Sequence, residues 1–273
     1  SQLRELILSP VEVNDAVLEQ LSALDGLQKI IIEGDVPLSA KARIEERLPG
    51  CKVEATEIIN DVPVDDLTPP GAREIIFPNS RVMGKIMTRP WSVEGNKDWS
   101  ELGPARGVIA IPNGFESKLV TDVDACKDLS PLDSLNENAL DELLLVGKAV
   151  NDADAKRVAR LSGLKGLYLY YTSITDAGMK EFSTLTSLRT FEIRLEPDNR
   201  NVGDAGFEAL KNWPKIRHIW VENVPLTMGA VSIFKQLPSL RELHLGNTRI
   251  PKEGMIILKY DMPYCALSPS IEE

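Results

Sequence analysis

The chain has 273 residues and a formal net charge of −10, from 31 Lys and Arg against 41 Asp and Glu, with a pI near 4.9. That balance argues against a protein that tracks nucleic-acid phosphates; no apolar run approaches the ~18 residues of a membrane-spanning helix, and no signal-peptide pattern opens the chain. Apolar residues make up 43% of it, enough for a real core, while three Cys imply no closed disulfide framework and two His leave little for a His-rich metal or acid–base centre.

The first segment is periodic. From Leu3, apolar residues recur at Leu6, Leu8, Val13, Leu18, Leu21 and Leu24, and Leu27 starts the series again 24 positions on. The opening L-x-x-L-x-L alternates with period two, as a half-buried strand does, and the later positions are spaced by three, as on one face of a short helix. A strand–turn–helix unit of this kind cannot bury its own apolar edge, so units must stack.

The next segment is different. Asp61 to Gly71 is acidic and proline-rich and reads as a linker or surface loop. After it come four strand-like pieces, Arg73–Phe77, Val82–Thr88, Gly107–Ile111 and Lys118–Val123, punctuated by Pro78-Asn79, Arg89-Pro90 and Pro112-Asn113-Gly114. They predict a small antiparallel β module with Trp91 and Trp99 in its core, capping the apolar end of the repeats C-terminal to it. Leu129–Leu135 reads as a short helical lead-in.

The periodicity then returns. Starts at Leu140, Leu164, Leu188, Ile216 and Leu240 carry the same template, with a four-residue insertion around Glu196–Arg200 in the Leu188 unit and a break at Asp261 in the last. Between strand and helix lie Asn151-Asp152, Thr175-Asp176 and Gly203-Asp204, whose aspartates are expected to bind the first free amides of each helix. The Ile216 unit has Thr227-Met228-Gly229-Ala230 and the Leu240 unit Pro251-Lys252-Glu253-Gly254 instead, so their helices are expected to start differently or be short.

Tyr168-Leu169-Tyr170-Tyr171-Thr172-Ser173-Ile174-Thr175-Asp176-Ala177-Gly178-Met179 resembles the L-x-L-x-x-T-x-I-T-D-A-G-L variant of the leucine-rich repeat family, bacterial type, and Leu243–Ile250 resembles its strand-and-turn half. The resemblance covers roughly 3–54 and 140–268. It implies an α/β leucine-rich-repeat solenoid, with parallel strands on the concave side and short helices on the convex side, interrupted by the β module. Cys51 and Cys265 sit in similar endings that close an array in this family. The expected organisation is therefore residues 1–55 as two units at the tail of one array, 56–71 as linker, 72–139 as β module and N-terminal cap, and 140–273 as a second array of five units plus its end. Two units are too few to stand alone, so either the first array docks on the β module or the chain is a fragment of a larger bacterial protein.

The family implies no chemistry of its own. On the concave face the outward strand positions gather Tyr168, Tyr170, Glu192, Arg194, His218, Trp220, Glu222 and His244. Exposed aromatics beside Arg and acids are the material of binding hot spots; the plainer reading is that aromatics simply favour strands. The expectation is a non-enzymatic module for a protein or peptide partner, without cofactor or metal. The alternative is a structural or regulatory spacer in a signalling or cell-surface protein. A third reading, a hydrolase using His218 and His244, needs about three converging ligands for its metal, and two unrelated surface imidazoles explain the pair better. Cys126-Lys127-Asp128 is similar to the C-x-D of repeat-bearing bacterial ubiquitin ligases, yet a thiol in a loop is the simpler account. Phosphate-binding glycine loops and a nucleophile elbow are absent from the sequence. Free thiols fit a reducing compartment such as the cytoplasm without excluding export.

Overall fold

The computed structural model describes residues 4–8, 21, 27–37, 44, 48, 50–59, 70–91 and 98–268. Of the expected linker at 56–71, residues 60–69 lie outside them, while 56–59 end the strand Lys52–Ile59. The chain divides into two compact units, Ser1–Thr68 and Pro69–Glu273.

In the first unit β1 (Glu5–Leu8), β2 (Lys29–Pro37) and β3 (Lys52–Ile59) pair in parallel in that order. Leu6 stands opposite Ile30 and Ile30 opposite Val53. The second step is thus 23 residues, one short of the template, and Cys51 lies just before the last strand, partly buried against a core that includes Ile30, Ile32 and Val53. On the outward side Lys29 bridges Glu5 and Glu54, the latter at 2.8 Å, and Lys52 reaches Glu54 at 2.6 Å. The Lys29 and Lys52 ammonium groups hold the Glu54 carboxyl down at about 2.

The second unit begins with β4 (Arg73–Ile76), β5 (Lys85–Pro90), β6 (Ser100–Pro104), β7 (Val108–Ile111) and β8 (Phe115–Val120). β4 pairs with β7, and β5 lies between β6 and β8, all antiparallel. Ile75, Phe77, Met83, Ile86, Ile111 and Leu119 form the buried centre here. Trp91 and Trp99, expected in that core, are both half-buried at its margin. A 3-10 turn at Ser130–Ser134 supplies the expected lead-in.

Repeats come next as β9 (Glu142–Val146), α1 (Asp152–Val158), β10 (Gly166–Tyr170), α2 (Asp176–Glu181), β11 (Thr190–Arg194), α3 (Asp204–Phe207), β12 (His218–Glu222), α4 (Met228–Phe234), β13 (Glu242–Gly246), α5 (Lys252–Asp261) and β14 (Ala266–Ser268). Among the described residues, nine strands make one sheet in the order β14-β13-β12-β11-β10-β9-β8-β5-β6, with β8 to β14 parallel. Leu119, Leu143, Leu167, Phe191, Ile219, Leu243 and Leu267 stand side by side across it. Each step is 24 residues except Phe191 to Ile219, which is 28: the insertion is absorbed in the loop before α3 and the strand register is kept. At that wider repeat Trp213 packs edge-on to Phe191 at 5.0 Å and donates its indole N–H to the Phe182 carbonyl at 2.9 Å. This is an α/β leucine-rich-repeat solenoid.

The sheet starts one repeat earlier than expected. Leu119 occupies the first core position of β8, and Cys126, 24 residues before Val150, is buried where each repeat places its first post-strand core residue. The strand expected to belong to a separate module therefore carries the register of the array.

The helix starts also differ in one respect. Asn151, Thr175 and Thr227 cap their own helices, each accepting from an N–H two residues on. The template aspartates bond forward instead. Asp152 accepts from Thr175 N–H (2.8 Å) and its hydroxyl (2.7 Å), Asp176 from Gly203 and Gly206 N–H (2.8 and 2.9 Å), and Asp204 from Thr227 N–H (2.9 Å). α4 and α5 run 7 and 10 residues, so neither is short; α5 starts after Pro251 without a side-chain cap.

Candidate binding face

Outward positions of parallel strands line up in rows, because the register repeats in step with the alternation. One row runs Glu142, Gly166, Thr190, His218, Glu242, Ala266; the next Leu144, Tyr168, Glu192, Trp220, His244, Ser268; the third Val146, Tyr170, Arg194, Glu222, Gly246. All eight expected binding residues fall on these rows, but they separate into two groups.

The first group is closed. Tyr168, expected as an exposed aromatic, is only 9% exposed. Its hydroxyl donates to Glu142 at 2.8 Å, and the Lys118 ammonium covers its ring at 3.6 Å. Glu142 also receives Arg89 (3.0 Å) and Lys118 (3.3 Å); Glu116 receives Arg89 (2.8 Å) and Lys165 (3.2 Å); Asp141 receives Lys165 (2.9 Å) and Arg73. The three carboxylates are nearly fully buried and are met by four cations. Burial, then Glu142, pushes the Tyr168 hydroxyl well above its ordinary value, so it stays a donor. Burial would lower the Arg89 pKa, but Glu142 and Glu116 outweigh it and hold the guanidinium charged. This network joins the strands before the array to its first repeats. A local signal for it is Gly166: a Cβ there would stand 2.8 Å from Glu142 Cγ, so only glycine leaves room for the buried carboxylate.

The second group is open. Tyr170 donates to Glu192 at 2.7 Å, and Arg194 reaches the same carboxylate at 3.1 Å. The Arg194 guanidinium lies 4.9 Å from the Tyr170 ring and 4.9 Å from the Trp220 ring, with Glu222 at 4.0 Å. Trp220, 36% exposed, stacks on His244 with centroids 3.7 Å apart and planes 19° from parallel. Burial lowers the His244 pKa, against the pull of Glu222. His218 Nδ1 meets Glu242 at 3.1 Å in the neighbouring row. A concavity of about 460 Å³ lies between these rows, lined from Thr190 and Glu192 to Ala266 and Ser268.

The two imidazoles therefore serve different contacts, one meeting a carboxylate by its edge and one stacked by its face. Among the described residues no group of three His, Cys, Asp or Glu is placed to hold a metal ion, and no helix is long and apolar enough to cross a membrane. Cys126, the C-x-D thiol, is buried with its Sγ 3.0 Å from Thr121 Oγ1, and burial raises its pKa, the opposite of an activated nucleophile.

No family model and no curated protein matches the chain. Among solved structures it is similar to internalin C2 of Listeria monocytogenes (26% identity over 46% of this chain and 59% of that one, TM-score 0.36). It is also similar to another internalin of that organism (14%, 92% and 50%, TM-score 0.41) and to a leucine-rich repeat protein of Leptospira interrogans (13%, 92% and 56%, TM-score 0.35). The chain spans between half and three-fifths of the length of these proteins. The repeat architecture itself rests on the strand register and the buried leucine positions described above.

Proposed function

We propose that the chain is a non-enzymatic protein- or peptide-binding module whose concave face carries the contact. The supporting observation is the ordered strip Tyr170–Arg194–Trp220–His244, one residue from each of four successive strands, whose Trp220 and His244 line a concavity. Side chains locked this way lose little conformational freedom on binding, which is what a pre-organised hot spot requires. A broad parallel sheet that keeps Trp220 part-exposed on its outward rows is in keeping with an interaction module.

Panning a displayed random-peptide library against the full chain tests this. Peptides should be retained, and Trp220→Ala should weaken them by more than about 2 kcal/mol while the melting temperature stays nearly unchanged. A competing reading is a spacer segment, favoured by the fact that Glu192 and Arg194 already pair with one another. It predicts that no Trp220-dependent peptide emerges.

A further inference from the structure

Among the described residues the strip on the concave face ends at His244. β11 and β13 flank β12 on opposite sides, so Arg194 and His244 approach Trp220 from its two sides. Among the described residues His244 is the last planar member: the residue opposite it on β14 is Ser268, and Ala266 stands opposite Glu242. Both are too short to cover an imidazole. The concavity lies over this point, and both residues line it.

The strip also shows what kind of group fits such a position. Arg194 sits between two rings with the Glu192 carboxylate at its edge. This end offers the same elements: the side of the His244 ring away from Trp220, and Glu242 on the same strand, whose side chain is 65% exposed. Opposite Glu242 the cavity wall carries His218 but, among the described residues, no lysine or arginine. Glu192 also lines it. The local charge thus favours a cation, and the stacking surface favours a flat one. A guanidinium is planar, weakly hydrated and forks onto a carboxylate, whereas an ammonium is a compact point charge that cannot stack. His244 is kept neutral by its burial and so does not repel a cation at neutral pH.

We propose that this end of the groove is a subsite for an arginine side chain of the partner protein, stacked on His244 over Ala266 and Ser268 and paired with Glu242. The proposal rests on the concave face being the binding face and names the chemistry it reads.

The test is an NMR titration of the full chain with Nα-acetyl-arginine amide, following the ring resonances of Trp220 and His244, with the lysine and citrulline amides alongside. The arginine amide should shift both rings. The neutral citrulline isostere and the lysine amide should each bind about tenfold more weakly, and Glu242→Gln, an exposed substitution that leaves the fold intact, should weaken the arginine amide about threefold. Equal response to citrulline, shifts confined to other residues, or no effect of Glu242→Gln would each overturn the subsite. Library peptides that need Trp220 but carry no arginine would overturn it too, while leaving the concave face as the binding face. A library without any Trp220-dependent peptide counts against that face itself, and the amide titration still decides the subsite.

Discussion

The Asp176 carboxylate lies over Gly206 of the following repeat and accepts its N–H at 2.9 Å. A Cβ at Gly206 would stand 2.6 Å from Asp176 Oδ1 and 3.0 Å from Met179 Cβ. The aspartate and the glycine of the T-D-A-G pattern are therefore one device that clamps successive repeats, with the glycine leaving room for the neighbour's carboxylate.

In an ordinary exposed helix Gly→Ala stabilises by about 1 kcal/mol. Gly206→Ala should instead destabilise, by about 1–3 kcal/mol, because the added methyl displaces Asp176 from two amide donors. Asp176→Ala should cost a similar amount, and the double variant less than the sum, since both remove the same contact. Chemical denaturation of the four proteins measures this; a stabilised Gly206→Ala would refute the clamp.

Glu142 is nearly fully buried between Arg89, Lys118 and the Tyr168 hydroxyl. Glu142→Gln keeps the shape but removes the charge, leaving buried cations uncompensated, and should cost about 3 kcal/mol. Because the site is shielded from solvent, the loss should persist at high salt, whereas an exposed pair would be screened. Urea titrations at low and high ionic strength separate the two outcomes.

Tyr171 has φ of 58°, and the equivalent turn after the strand in other repeats is made by Gly147 (100°), Asn223 (60°) and Asn247 (48°). A bulky side chain is strained there, while Asn and Gly are not. Tyr171 is 45% exposed, so little packing opposes its replacement. Tyr171→Asn is expected to raise stability by about 0.5–1 kcal/mol, read as a higher denaturation midpoint at unchanged slope.

His244 has its pKa lowered below the ordinary 6.5 by burial, partly offset by Glu222 and Glu192 and reinforced by Arg194. The unfolded chain therefore takes up this proton at higher pH than the folded one. The stability associated with neutral His244 is present above about pH 6.5 and is lost as pH falls through the lower folded value. Tracking the His244 ring by NMR should give a midpoint below that of a free histidine peptide, and His244→Phe should flatten this part of the stability–pH curve. A midpoint above 6.5 would contradict the burial of the ring.

What the sequence by itself determined is the repeat. The L-x-x-L-x-L alternation and the 24-residue return from Leu143 to Leu167 and from Ile219 to Leu243 are local in origin, since a strand and a short helix each write their periodicity into neighbouring residues. The rows of outward positions come from the same alternation, which is why Tyr170, Glu192, Arg194, Trp220 and His244 could be placed on one face from spacing alone. What only the tertiary structure decided is who covers whom. Tyr168 obeys the same pattern as Tyr170, yet one is buried and the other half-open, because Lys118 and Glu142 arrive from 50 and 26 residues earlier in the chain. The aspartates were expected to hold their own helices and instead hold the next repeat's, since a capping residue's reach depends on the spacing between stacked turns. Side-chain periodicity reports which way a residue points; it carries no information on what the rest of the chain brings to meet it.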